Sequence, residues 1–162
     1  MAEMLVLDRF DREILKQLQA DGRLSNQDLA DRIGLSPSPC LRRVKRLERE
    51  GYIDGYRAML GRSRVGLGLT VFVGIKMEAH ADERADAMQE AIVAMPEVVA
   101  CHMVSGEVDY LIEVVVPDLE HYQRFLLGKL LQLSIIKEVR STIALQTLKV
   151  AAPLPLEHLA QR

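Results

Sequence analysis

Tryptophan is absent from this 162-residue chain, which has only three phenylalanines and four tyrosines. Any core must therefore be filled by aliphatic side chains and methionine. There are two cysteines, Cys40 and Cys101, which form neither a disulfide framework nor a C-x-x-C pair. This usage fits a reduced chain in the cytoplasm. No basic segment followed by an apolar stretch opens the chain, so no secretory leader is expected. No run approaches the roughly 20 apolar residues of a membrane span. His80, His102, His121 and His158 are scattered and lack the short paired spacing of a zinc site. Neither a P-loop nor a G-x-G-x-x-G occurs. Cys101-His102 is not a nucleophile with its base, because neighbours on a strand point to opposite faces. No catalytic constellation, metal site or cofactor is expected. Overall positive charge is lacking too, since the net charge is −2.

That total conceals an asymmetry. Residues 1–64 carry 13 Lys/Arg against 10 Asp/Glu, and residues 65–162 carry 8 against 13. The stretch 40–64 alone holds 8 basic and 3 acidic residues. A basic front and an acidic rear imply two units with different partners.

The front reads as three short helices. Phe10, Ile14, Leu15 and Leu18 recur at helical spacing after a capping Asp8, and Asp21-Gly22 ends that element. Ser25 with Asp28 opens a second helix whose inner face is Leu29, Ala30 and Ile33, and Gly34 stops it. Ser36 followed by Pro37 starts a third, with Cys40, Val44 and Leu47 inward and Gly51 at its end. Residues 52–59 alternate loosely, as a short strand or wing would. A polar, glycine-containing stretch near residue 61 marks the boundary, with a linker over 61–68.

Behind the linker the period changes. Strands are predicted around 71–77, 98–104, 110–116 and 139–145. Ala85, Met88, Ile92 and Met95 mark one helix, and Leu119, Tyr122, Leu126 and Leu130 another. The order β-α-β-β-α-β is the ferredoxin-like arrangement. The expected class is therefore α+β, with a helix-turn-helix (winged-helix-like) domain over 1–60 and a ferredoxin-like domain over 69–150. A tail over 151–162 is irregular before a short helical end.

Three short helices, the last two joined by Gly34-Leu35, make a helix-turn-helix by pattern, with the third as recognition helix. Ser36, Ser38 and Pro39 open that helix, where outward N–H groups suit a phosphate or a base edge. Arg42 and Arg43 are the candidates for base contact, and Arg46, Arg49 and Arg57 for phosphates. The competing reading is an ordinary solvated helix whose arginines pair with Glu48 and Glu50.

At these residues a resemblance becomes specific. Leu7-Asp8, Asp11 and Ile14-Leu15, the run Leu35 to Cys40, Arg43-Val44, Leu47-Glu48 and Gly51-Tyr52-Ile53 resemble the Lrp/AsnC family of regulators. Gly66 to Leu69, Met95 to Val98 and Gly106 to Tyr110 agree independently. The resemblance spans roughly residues 5–156. It implies a rear domain that senses an amino acid or related metabolite, pairs into homodimers through its sheets and assembles into rings such as octamers. Double-stranded DNA would be the other partner, read as a near-palindrome by two-fold symmetry. It also implies an effector site at Gly106 and Asp109, with Ser105 and Glu107 beside them and Ser141 on the last strand. Glycine admits a ligand close to the backbone, and Asp109 suits an ammonium group or the orientation of nearby N–H groups. Two departures stand out: Ser134-Ile135 replaces a Pro-Gly turn, and Ile143 stands where some relatives carry a hydroxyl.

The leading expectation is a sequence-specific transcriptional regulator responding to such a metabolite. Two alternatives remain open: an amino-acid-binding regulatory subunit acting through a protein partner, and a non-specific architectural DNA-binding protein.

Overall fold

Asp8 begins the first helix as a reciprocal cap. Its carboxylate accepts the Phe10 and Asp11 N–H groups at 2.8 and 3.0 Å, and Asp11 Oδ2 accepts the Asp8 N–H at 3.1 Å. In the computed structural model, which describes residues 7–78, 82–150 and 152–160, this helix is α1 (Arg9–Ala20). His80 lies outside the described residues, as do the side chains of residues 82–85. Ser25 caps α2 (Asn26–Ile33), and Gly34 ends it at φ +70°, a conformation that favours glycine. α3 runs Pro37–Arg49. Ile14, Leu29, Ala30, Cys40 and Leu47 are almost fully buried where the three helices meet. Each large aliphatic side chain so buried contributes about 1.5–3 kcal/mol. Ala30, fully buried, leaves room for the close helix packing.

The chain divides into two units, one of Met1–Met59 with Lys149–Arg162 and one of Leu60–Leu148. The tail thus groups with the helices and is no separate appendage. Leu156 and Leu159 pack against the three-helix core. Residues 52–59 carry no strand, and among the described residues no strand lies beside them to complete a ladder.

The second unit is an antiparallel sheet of order β2-β3-β1-β4 with helices on one face. Its elements are β1 (Leu69–Met77), α4 (Asp82–Val93), β2 (Val98–Met103), β3 (Tyr110–Val116), α5 (Leu119–Gly128) and β4 (Ile136–Ile143). This is the expected ferredoxin-like order. Val71, Val73 and Ile75 alternate inward on β1, as do Ile112, Val114 and Val116 on β3. They meet Met88 and Ile92 of α4 and Tyr122 and Phe125 of α5. Gln89 Nε2 donates to the Tyr110 hydroxyl at 2.8 Å and pins α4 to the sheet.

Three details differ from expectation. Leu119 is exposed, and Phe125 takes the inward place on α5. Leu145 lies beyond the end of β4 and is 98% exposed. The turn without Pro-Gly is closed by a 3-10 turn at Leu130–Gln132 and by Ile135, whose side chain is buried in the core. The Ile135 carbonyl accepts the Glu78 N–H at 3.0 Å.

Candidate DNA-reading helix and effector turn

The basic residues of α3 fall into two groups, and a single acid separates them. Asp11 is only 1% exposed, and an ionised carboxylate at that depth requires charge partners. Arg43 Nη1 lies 2.8 Å from Asp11 Oδ1 and 2.8 Å from Asp8 Oδ2. Arg46 Nη2 lies 2.6 Å from Asp11 Oδ2, a charge contact without hydrogen-bond alignment. Arg43 also stacks over the Phe10 ring, 5.4 Å from its centroid. Burial pushes the Asp8 carboxyl up, but the Asp11 N–H and the Arg43 guanidinium outweigh it and hold Asp8 below its ordinary value. Arg43, desolvated but facing two carboxylates, is held more firmly protonated than usual.

The structure thus sets Arg43 and Arg46, which the sequence suggests as a base reader and a phosphate contact, against Asp11 of α1. Both turn back onto α1, where the buried Asp11 carboxylate faces them. Arg42, Lys45 and Arg49 are exposed, with Ser36 and Ser38 at the exposed start. Pro39 is half-buried. Ser38, Arg42, Lys45 and Arg49 are spaced 4, 3 and 4 apart, one continuous stripe on a helix. The Ser36 side chain makes no capping hydrogen bond, so it leaves the first N–H groups of α3 to other acceptors. Asn26 Nδ2 donates to the Pro37 carbonyl at 2.9 Å and fixes the start of α2 against the start of α3. At the far end the Tyr56 hydroxyl donates to Glu48 at 3.0 Å, and burial together with that carboxylate pushes the phenol up to about 12.

Sequence reading passed over Asp11 as a clamp. A signal for Asp11 was present. It sits three and four positions before Ile14 and Leu15, on the stripe that must be buried, so its charge had to find partners.

In the rear unit, residues 105–109 form the turn between β2 and β3. Gly106 has φ +133°, a backbone state L side chains rarely adopt. Asp109 Oδ2 accepts the Met77 N–H at 2.7 Å, and the Asp109 N–H donates to the Ile75 carbonyl at 2.9 Å. Asp109 thus ties the end of the turn to β1. Glu107 pairs with Arg140 of β4, while Ser105 is exposed. Val108 lies across the sheet over Gly74, where an added Cβ would come within 3.0 Å of a Val108 methyl. Ser141 stands apart from this turn. It pairs with inward-facing Val73, and its hydroxyl is hydrogen-bonded to Tyr122 on the helix-covered face. Within one chain, therefore, Ser105, Gly106, Glu107 and Asp109 come together and Ser141 does not join them.

Among the described residues no group of three His, Cys, Asp or Glu side chains is placed to hold a metal ion. Burial pushes both the Cys40 and the Cys101 thiols up, away from the reactive thiolate. No helix among the described residues is long and apolar enough to cross a membrane.

A helix-turn-helix with an exposed basic stripe, followed by a ferredoxin-like domain with an open glycine turn, defines a DNA-binding regulator with a ligand-binding rear domain. Comparison with known proteins agrees. Residues 7–54 match the model of a winged helix-turn-helix DNA-binding domain, and residues 70–154 match that of the Lrp/AsnC ligand binding domain. The leucine-responsive regulatory proteins of Klebsiella pneumoniae and Escherichia coli are each 43% identical over 143 residues, covering 88% of this chain and 87% of theirs. A transcriptional regulator from Neisseria meningitidis, solved as its L-Met complex, superposes with a TM-score of 0.89 at 38% identity, covering 94% of this chain and 99% of that one. An AsnC family regulator from Agrobacterium tumefaciens does so with a TM-score of 0.89 at 39% identity over the same shares. The chain belongs to the Lrp/AsnC family of transcriptional regulators.

Proposed function

We propose that this regulator reads its operator with Ser38, Arg42, Lys45 and Arg49, while Arg43 and Arg46 hold the reading helix in place. The carrying observation is the division of α3 by Asp11, which takes two arginines and leaves a single basic stripe facing solvent. Arg42, in the first half of the helix, is the base reader; Lys45 and Arg49 lie further back and contact phosphates. The open N-terminus of α3, flanked by Ser36 and Pro39, receives a phosphate.

The rear turn at Ser105, Gly106, Glu107 and Asp109 takes an amino acid. The supporting observations are the glycine turn, the carboxylate at its end and the relative that binds L-methionine. Ser141 completes such a site only if a second chain brings it to the turn, because its own chain points it away. Phe72 and Leu111 lie half-exposed on the sheet face away from the helices and support pairing of two chains there. Dimers would then join into a larger ring, an octamer being the size the family resemblance implies. The protein works in the cytoplasm, where its DNA is.

Binding to the DNA upstream of the chain's own gene, followed by fluorescence anisotropy at fixed salt, tests the assignment. Arg42→Ala should weaken operator binding by about 1–3 kcal/mol and relax preference at one base. Lys45→Ala should weaken operator and random DNA alike, and lower the salt slope by roughly one. If Arg43→Ala relaxed base preference while Arg42→Ala did not, the division of roles would be reversed.

A further inference from the structure

Residues 152–160 pack on α1, and their sequence suits them to it. Pro153 and Pro155 have no N–H and a fixed φ, and each biases the residue before it toward extended backbone. Leu154 therefore carries the only backbone donor of residues 153–155, and Gln19 Oε1 accepts it at 2.7 Å. Gln19 Nε2 donates back to the Leu154 carbonyl at 3.3 Å, so one side-chain amide bonds both backbone groups of one residue. The chain then closes a 3-10 turn (Glu157–Ala160), with the Leu159 N–H donating to the Leu156 carbonyl at 3.0 Å. That turn sets Leu156 and Leu159 on one side, and both pack against the three-helix core. Arg12 Nη1 donates to the Leu159 carbonyl at 2.8 Å, near the end of the turn where internal donors run out. Arg12 and Gln19, about 10 Å apart along one side of α1, thus hold the segment at both ends, antiparallel to the helix.

The seat is only partly filled. Leu154 and Leu156, with Leu15, Leu18, Ile53 and Tyr56, wall a cavity of about 300 Å³, and Leu154 is 71% exposed. A segment held by a few hydrogen bonds and two leucines opens and recloses locally. A tethered occupant refills its seat readily, because its effective concentration is high. The same helix supports α3: Asp11 faces Arg43 and Arg46, and Ile14 and Leu15 share a core with Cys40 and Leu47. We propose that the Arg12–Gln19 side of α1 is a peptide-docking groove, that its occupant is residues 152–160 of the same chain, and that filling it stabilises the DNA-binding form of the helical unit. The DNA-binding unit is then discontinuous in sequence, since the helix-turn-helix match ends at residue 54 and residues 149–162 group with the same unit. The chemistry recognised is an extended Pro-Leu-Pro followed by a turn with leucines three apart. Neither the choice of base-reading arginine nor any rear-domain ligand enters.

Full-length variants test this. Arg12→Ala/Gln19→Ala removes the anchors, and Leu156→Ala/Leu159→Ala weakens the occupant while leaving the groove intact. Amide exchange in α1 and in residues 152–160 should accelerate about tenfold or more in both variants, with the rear sheet unchanged. Operator affinity, by fluorescence anisotropy at fixed salt, should fall about threefold or more in both, since only the docked fraction binds tightly. A synthetic peptide of residues 152–160 at millimolar concentration should restore protection and affinity in the leucine variant and not in the anchor variant. Unchanged exchange in both variants overturns the groove, and so does peptide rescue of both or of neither. Faster exchange with unchanged operator affinity overturns the link to DNA. For the source of the occupant, heavy- and light-isotope batches of Gln19→Cys/Leu154→Cys are mixed and treated with a short bismaleimide. Links should join residues 19 and 154 of one batch only. Mixed heavy–light links assign the seat to a second copy, and absence of any such link puts the two positions out of reach; either result overturns the intrachain assignment.

Discussion

Replacing Asp11 by asparagine removes one charge and hardly changes shape, so it isolates what the buried carboxylate does. In the wild type that carboxylate, 1% exposed, faces Arg43 at 2.8 Å and Arg46 at 2.6 Å and accepts the Asp8 N–H at 3.1 Å. Breaking a fully buried ion pair by removing one partner costs about 3–5 kcal/mol, because the other charge is stranded. Here the stranded arginines keep 27% and 31% of their side-chain surface in water and can partly rehydrate. Asparagine also retains an oxygen for the Asp8 N–H. Both effects lower the cost, to about 2–3 kcal/mol. At 1.4 kcal/mol per factor of ten, amide exchange in α1 and α3 should accelerate roughly 30- to 150-fold through local opening. Exchange in the rear sheet should not change. Hydrogen exchange by mass spectrometry on the full chain reads both units at once and needs no assumption that the chain unfolds in one step. A companion variant, Asp11→Leu with Arg43→Met and Arg46→Leu, should recover most of the loss, since it strands no charge. Acceleration below threefold in Asp11→Asn would refute the clamp. Failure of the triple variant to recover would show that packing, not the stranded charge, sets the cost.

Three further outcomes are expected. Asp8 is held below its ordinary value near 3.8 when folded, so its contribution is complete above about pH 4 and is lost as pH falls through the lowered folded value. Circular dichroism between pH 5 and 2 should show wild type losing helix more steeply than Asp8→Asn, by under about 1 kcal/mol because the Asp8 side chain is nearly half exposed. Gly74→Ala should push Val108 off the sheet, cost about 1–3 kcal/mol in thermal unfolding and weaken calorimetric binding of L-methionine. An unchanged binding curve would separate Val108 from the site. Asp109→Ala releases the Met77 N–H and removes the carboxylate, so under the proposed site a thermal shift that added L-methionine gives in wild type should disappear. A full shift in that variant would exclude the turn as the binding site.

Much of the architecture was legible because it is written in short-range patterns. Asp8, Ser25 and Gly34 set helix ends through their own backbone and side-chain chemistry, and the structure places them at those ends. Alternation along residues 71–77 and 110–116 gave strand identity and inward face together, since side chains alternate across a strand. The exposed arginine Arg42 and the glycine turn at 106 were also visible from residue type and position. Residues 52–59 could not be decided this way, because a strand exists only when another strand lies beside it.

What the sequence determined was composition and period: two units, three helices and a four-strand sheet, a basic reading helix and a candidate turn. What only the tertiary structure decided was the partner of each group. Asp11 drew Arg43 and Arg46 onto α1 because a buried charge binds whatever opposite charge the packing brings to it. Tyr122 drew Ser141 to the helix-covered face, and α1 drew the last residues of the chain into the first domain. Each of these pairings joins residues 19 to 147 positions apart, beyond the reach of any local pattern.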